Sequence, residues 1–333
     1  MFEDSDNTKR ILEYFKVKYG ESLMAIGLAK SLSVASLKVK ECFPLNIVNV
    51  SPAGHFKSRT SIEQVEIFGK RNIINFGSDF TIHGLAEQYD KGRGINNKTC
   101  LINDLTLLFG SKSKQAKERL INALAEMLSE GSYAYKNFKE NWEMKARISL
   151  IGNITIETYM KYYKELLEST FGERCLTLYN VVERDEEASF NKEKRERIAI
   201  DFGDKVKLKS RCVDYSEYND FFVDLAKKWQ ILNLSPSQTR VFDRVVSVAK
   251  SNAVLNGRGM INDDDLAVLG IVQKALINPL SPHVRIVELA VEGLSQSQIC
   301  QALGKNPESY QGYVSRVLSS YKQRGVIKHD EYA

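Results

Sequence analysis

Ser51-Pro-Ala-Gly-His-Phe-Lys-Ser58 follows directly on the apolar run Pro44-Leu-Asn-Ile-Val-Asn-Val50. A run of that length, bounded by a turn, reads as a buried strand, and Lys57-Ser58 stands where a helix begins. A strand that runs into a glycine-containing turn and then Lys-Ser at a helix head is the arrangement that wraps a triphosphate. Backbone N–H groups of the turn face the phosphates, the lysine reaches their outer oxygens, and the serine hydroxyl takes Mg²⁺. The general pattern is G-x-x-x-x-G-K-[ST], and Ser51 and Phe56 occupy its two glycine positions. The candidate nucleotide contacts are therefore Gly54, His55, Phe56, Lys57, Ser58 and Arg59, with ATP and Mg²⁺ as the expected cofactors.

Around this stretch, apolar runs of strand length recur at 45–50, 73–76, 99–102, 148–151 and 175–182. Longer amphipathic segments separate most of them, among them 61–70 and 112–128. That alternation predicts a parallel sheet flanked by helices. Residues 8–35 read as helical, and beyond about residue 218 the strands stop. Helical patterns cover 220–232, 237–255 and 263–276, the last capped by Asp263 or a neighbour. Asn278-Pro-Leu-Ser-Pro282 is the clearest linker, and three short helical patterns follow it. The expected divisions are an N-terminal helical segment 1–40, a nucleotide-binding body 41–225, a helical lid 226–278 and a C-terminal unit 279–333.

Further polar positions sit where such a site needs them. Cys100-Leu-Ile-Asn-Asp104 is an apolar strand ending in a carboxylate, which would hold Mg²⁺ with Ser58 or orient the attacking water. The plain alternative for Asp104 is the cap of a strand-to-helix turn. Asn103 stands where a first acid would precede it. Leu150-Ile-Gly-Asn-Ile-Thr155 ends a second strand, and Asn153 would position the water; its alternative is a turn-forming asparagine. Arg174, in Phe171-Gly-Glu-Arg174, and Arg240, opening the helix after Ser235-Pro-Ser-Gln-Thr, are either surface charges or phosphate-reaching arginines. Basic residues at 112, 114, 117 and 119 read as a solvated helix face, with a pore lining as the alternative, and His83 and His283 as turn or helix-end residues.

Composition narrows the class. The 333 residues are 43% hydrophobic and 27% charged, an ordinary globular balance. No apolar run approaches the ~20 residues that span a bilayer. The N-terminal residues lack the charged-then-apolar form of a signal peptide, so a cytoplasmic location without membrane contact is expected. Five scattered cysteines with no CxxC pair read as reduced thiols rather than a zinc site. A net charge of +5 permits nucleic acid as a partner without demanding it.

The stretch 284–304 has a helix, a Gly-Leu-Ser turn and a short helix with Ser295 as cap. A third helix carries Ser309, Tyr310, Tyr313, Arg316 and Lys322. The unit resembles a winged helix-turn-helix, which implies that the third helix enters the DNA major groove with these side chains on phosphates and base edges. Such modules also dock proteins, so a protein partner is the alternative.

Taken in order, these motifs resemble the AAA+ ATPases, and among them the branch holding the MoxR proteins and the minichromosome-maintenance helicases. Pro52-x-Gly54-x-x-Lys57-Ser58 fits that branch, which accepts a small residue in place of the second glycine; Phe56 is larger. Residues 122–130, 133–137 and 146–153 look like its helix, pre-sensor hairpin and sensor-1 strand. The stretch Asn256-Gly-Arg-Gly-Met-Ile-Asn-Asp-Asp-Asp-Leu266 is similar to the MoxR lid sequence. The resemblance implies an α/β fold: a P-loop αβα sandwich with a helical lid and a C-terminal winged helix. It implies that Asp104, Asn153, Arg174 and Arg240 are catalytic, Arg174 as the finger reaching a neighbour's phosphate and Arg240 contacting phosphates of its own subunit. It also places Lys136 and Lys139 in a hairpin facing DNA. The function expected is that of an oligomeric, ring-forming ATPase acting on DNA in replication, remodelling or mobile-element maintenance. The alternatives are a nucleotide-switched DNA-binding adaptor with little hydrolysis and a MoxR-like chaperone.

Overall fold

The computed structural model describes residues 6–76, 81–106, 113–136, 141–167, 169–180, 201–233, 235, 237–278 and 281–327. Seven strands lie among them: β1 (Asn46–Ser51), β2 (Ile73–Asn75), β3 (Lys98–Ile102), β4 (Ser132–Lys136), β5 (Asn141–Lys145), β6 (Ile148–Thr155) and β7 (Cys175–Tyr179). Five form one parallel sheet in the order β2-β3-β6-β1-β7, while β4 and β5 pair as an antiparallel hairpin. The chain leaves β1 for the far edge, works back through β3 and β6, and then passes over β1 to β7. The end of β1 therefore opens where the strand order reverses, the position at which open α/β sheets bind ligands.

All six residues of β1 are buried, as expected of a strand covered on both faces. Alternation assigns the faces. Ile47, Leu101, Ile151, Leu176 and Leu178 join one core, and Val48, Val50, Cys100, Ile102 and Leu150 join the other. The second face is covered by α4 (Ile82–Gln88), α5 (Lys114–Glu130) and α6 (Ile156–Leu167), with the hairpin contributing Met144 and Trp142. The first face carries α1 (Asn7–Tyr19), α2 (Met24–Ser36) and α3 (Lys57–Phe68). The region 8–35, read as helical, is two helices parted at Gly20, whose φ of 89° is a conformation that favours glycine.

Four of the remaining helices are α7 (Asn219–Leu232), α8 (Gln238–Leu255), α9 (Asp263–Leu276) and α10 (His283–Val291). The chain continues into α11 (Gln296–Ala302) and α12 (Pro307–Gln323), and all six add to the first core. The 256–266 stretch is latched through Asp265. Arg258 Nη1 and Nη2 donate to Asp265 Oδ2 and Oδ1 at 2.7 and 2.8 Å, while Asn252 and the Asn262 N–H donate to the same carboxylate. Thr8 on α1 bonds Asn252 and Asn256, tying the N-terminal helices to α8. No helix among the described residues is long and apolar enough to cross a membrane. The C-terminal unit is three helices with Val326 and Ile327 folded back on them, and no strand follows β7 among the described residues.

Candidate functional site

The turn after β1 has a glycine-like backbone without both glycines. Gly54 has φ 85°, and a Cβ there would meet nothing within 4 Å. Phe56, in the pattern's second glycine position, is left-handed at φ 54°, ψ 11°. A side chain in that region costs about 1–2 kcal/mol. The Phe56 ring packs on Tyr19 of α1, centroid to centroid 5.6 Å, and this contact offsets part of that cost. The chain then enters α3 at Lys57, so the free N–H groups and positive dipole end of α3 lie beside the turn.

Lys57 Nζ is folded back 3.5 Å from the Pro52 carbonyl, and Ser58 Oγ donates to the Asn103 carbonyl at 3.3 Å. The turn, α3 and the end of β3 thus come together as expected. Asp104 is in its capping role: its Oδ1 accepts from the Thr106 N–H at 2.8 Å. Arg59 is turned away from the turn. It donates to Glu63 Oε1 at 3.1 Å, and Glu63 also accepts from Tyr14, Tyr19 and Lys18. Burial alone would raise the Glu63 carboxyl, but the two tyrosine bonds and Lys18 hold it below the usual range. Arg59 therefore serves the α1–α3 junction rather than a phosphate.

Asn153 departs from expectation most. It is fully buried, level with Asn49 in the β1–β6 register. Its Nδ2 donates to Ser61 Oγ at 3.0 Å, and its Oδ1 accepts from Lys30 Nζ at 3.1 Å. An amide committed in this way does not hold a hydrolytic water. Thr155 is two residues on, on the same face, and pairs with Ser51, the last residue of β1. It occupies the strand-end position that the sequence reading gave to Asn153; strand register is the signal that finds it.

Lys30 of α2 was not singled out from sequence. It is fully buried, and its Nζ also donates to the Lys57 carbonyl, Thr60 Oγ1 and Ser61 Oγ at 2.8–2.9 Å. All four partners are neutral oxygens. Burial first, and the Lys57 charge second, push its pKa well below the ordinary lysine value. Nearby, the buried Oδ1 atoms of Asn49, Asn103 and Asn180 have no hydrogen-bond partner among the described residues. Asn180 closes the turn from β7, donating to the His55 carbonyl at 2.9 Å. A turn with the half-buried Lys57, the buried Lys30 and unsatisfied amide oxygens around it is chemically suited to a hydrated anion–cation pair.

The two arginines lie at the other end of the sheet. Arg174 immediately precedes β7, and its carbonyl accepts from Asn46 at the start of β1. Arg240 forms an ion pair with Glu173 beside it. The length of β1, roughly 17 Å by strand rise, separates them from the turn. Arg240 therefore does not reach the Ser51–Ser58 turn of its own chain, where it was expected.

Of the residues expected on DNA, Lys136 is exposed at the tip of β4, and Lys139 lies outside the described residues. Ser309 and Arg316 are exposed on α12, and Lys322 and Tyr310 are half-buried. Tyr313 is turned inward, its hydroxyl 2.9 Å from His283 Nε2, with Tyr321 on the other ring nitrogen at 3.0 Å. Tyr313 thus packs the unit rather than presenting a groove contact, and His283 is the centre of that packing.

No family model matches the chain. It is 27% identical over 156 residues to the telomerase reverse transcriptase of Euplotes aediculatus. That stretch covers 42% of this chain and 14% of the telomerase protein.

Proposed function

We propose that the chain is a nucleotide-binding subunit of an oligomeric AAA+-type ATPase that acts on DNA. The observation that carries this reading is the strand order β2-β3-β6-β1-β7 with the Ser51–Ser58 turn leaving β1 at its switch point and delivering Lys57 and Ser58 to the first turn of α3. Lys57 and the α3 N–H groups would hold the phosphates, while Ser58 and Asp104 would hold Mg²⁺. The unsatisfied oxygens of Asn103 and Asn180 fit a hydrated cation at this place. When bound, magnesium nucleotide supplies the phosphoanhydride whose cleavage can be coupled to movement. Thr155, level with Ser51 at the end of β1, would orient a water. Arg174 and Arg240, remote from the turn of their own chain, would serve the site of an adjoining copy, so turnover would need assembly. DNA would meet the exposed Ser309 and Arg316 of α12.

A second reading has a specific observation behind it. Asn103 is neutral and the Asp104 carboxylate is engaged with the Thr106 N–H, so the acid pair that speeds hydrolysis is missing one charge and has the other occupied. On this reading nucleotide sets a conformational or assembly state and is hydrolysed slowly. The local likeness to telomerase reverse transcriptase, at 14% of that protein's length, supports neither reading over the other.

The deciding measurement is titration of the purified chain with a fluorescent adenine nucleotide and Mg²⁺. Lys57→Ala should abolish binding, and Arg174→Ala should retain it while losing assembly-dependent turnover. Equal binding by the wild type and Lys57→Ala would end the proposal. Single-turnover phosphate release with and without DNA separates the motor from the switch.

A further inference from the structure

At the strand-start end of the sheet, Pro44, Asn46, Glu173, Arg174, Arg240 and Arg244 line a cavity of 240 Å³. Its charges are unusual. Arg240 is paired with Glu173, but the other two guanidinium groups are not fully answered. Arg244, one helical turn beyond Arg240 on α8, is only 8% exposed, and its Nη2 has no hydrogen-bond partner among the described residues. Arg174 donates from Nη1 to the Thr170 carbonyl, yet its buried Nε likewise has no partner there. Both residues line the cavity, and two desolvated guanidinium N–H groups without acceptors are costly unless something outside the chain accepts from them.

The facing groups do not supply that acceptor. Glu173 is committed to Arg240. Burial raises the Asp243 carboxyl from its ordinary value; its charge acts on Arg244, but it makes no hydrogen bond to Arg244 Nη2. Burial also pushes the Cys175 thiol up to about 12, so no thiolate forms near neutral pH. Arg244 is drawn down by burial to about 10 and Arg174 is lowered by burial and by Arg240, and Arg244 is still a cation at neutral pH.

We propose that this cavity is a binding site for a phosphate group, gripped by buried Arg244 and half-buried Arg174 and screened by Arg240. A phosphate offers several acceptor oxygens, enough for both unpartnered N–H groups at once, and planar forks on tetrahedral oxyanions are the favourable geometry for arginine. The site is separate from the Ser51–Ser58 turn and stands whether or not that turn takes nucleotide. The phosphate can come from free inorganic phosphate or from the nucleotide of a second copy of this chain.

The test uses the full chain carrying Lys57→Ala, which disables the turn and leaves the cavity intact. Calorimetric titration with inorganic phosphate and with pyrophosphate should show saturable binding. Adding Arg244→Met should weaken it about tenfold or more, with Arg244→Lys intermediate. Should Arg244→Met fail to unfold cooperatively, Arg174→Ala, whose side chain is half-exposed, takes its place with the same expected loss. Sedimentation then distinguishes the sources. Free phosphate should bind Lys57→Ala without a change in mass. A second copy's nucleotide as the source requires that Lys57→Ala and Arg244→Met form a mixed assembly with ATP that neither forms alone. Equal phosphate binding by the parent and both arginine variants would overturn the proposal, as would tighter binding of an acidic peptide than of phosphate. Failure of the nucleotide reading leaves a different mark: wild type and Lys57→Ala would bind ATP alike.

Discussion

Lys30 Nζ lies 2.8 Å from the main-chain carbonyl of Lys57, so the first residue of α3 rests on a fully buried lysine from α2. The same ammonium reaches Thr60 and Ser61 on α3 and Asn153 on β6. Three elements distant in sequence therefore meet at one nitrogen beneath the turn. The α1–α2 pair is also tied to α8 through Thr8 and Asn7, so a shift at the turn has a continuous path to α8.

Burial of Lys30 sets the sign of a pH effect. Its folded pKa is lowered from 10.5, so between the folded value and 10.5 the unfolded chain holds a proton that the fold lacks. Over that window stability rises with pH, by at most about 1.4 kcal/mol per pH unit for one proton. Thermal midpoints of the wild type relative to Lys30→Met should therefore climb as pH rises towards about 9.5. Parallel curves would show that Lys30 keeps its ordinary affinity for a proton.

The backbone at Phe56 makes a comparison of two small replacements informative. Phe56→Gly and Phe56→Ala both lose the ring contact with Tyr19. Only alanine keeps the left-handed penalty at φ 54°. The glycine variant should be the more stable of the two by about 1 kcal/mol in denaturant unfolding. Alanine equal to or above glycine would mean that the turn is not left-handed there.

Asn153 and Thr155 should separate by readout. Asn153→Ala removes an acceptor from Lys30 and leaves buried polar atoms unpaired, which should cost about 2–3 kcal/mol of stability. Thr155→Ala touches only the Thr155–Thr158 turn and should cost under about 1 kcal/mol, while lowering single-turnover hydrolysis more than binding. The opposite pattern would return the water-orienting role to Asn153.

Sheet and helices were legible because parallel strands buried on both faces read as unbroken apolar runs, and amphipathic helices as spaced ones. The Ser51–Ser58 turn was legible for the same reason: its parts are adjacent in sequence. The rest of the site was not. Asn153 and Thr155 share a strand face, and only the pairing of Thr155 with Ser51 says which one ends level with the turn. Lys30 lies 27 residues from Lys57 in a helix whose neighbours are apolar, and nothing local marks it as a partner. Arg240 sits at a plausible spacing, yet α8 packs so that it faces Glu173 at the opposite end of the sheet. Sequence order shows which parts are present, but which end of the sheet each one faces is decided by packing.

His283 offers a further test, of how the C-terminal unit holds together. Its two ring nitrogens contact Tyr313 and Tyr321 of α12, so α10 and α12 are joined through a neutral imidazole. Burial, then the Arg324 charge, lowers its pKa from 6.5. Below that value the unfolded chain takes up a proton that the fold resists, so stability contributed here is lost as pH falls from about 7 towards 5. His283→Phe gives up both hydroxyl contacts and should be less stable at pH 7 by about 1 kcal/mol, yet flatter across the same pH interval. Hydrogen exchange at α12 amides reads this locally: acidification should speed it in the wild type more than in the variant. Equal acceleration in both would show that the imidazole is already protonated in the fold and that α12 is held by its apolar contacts alone.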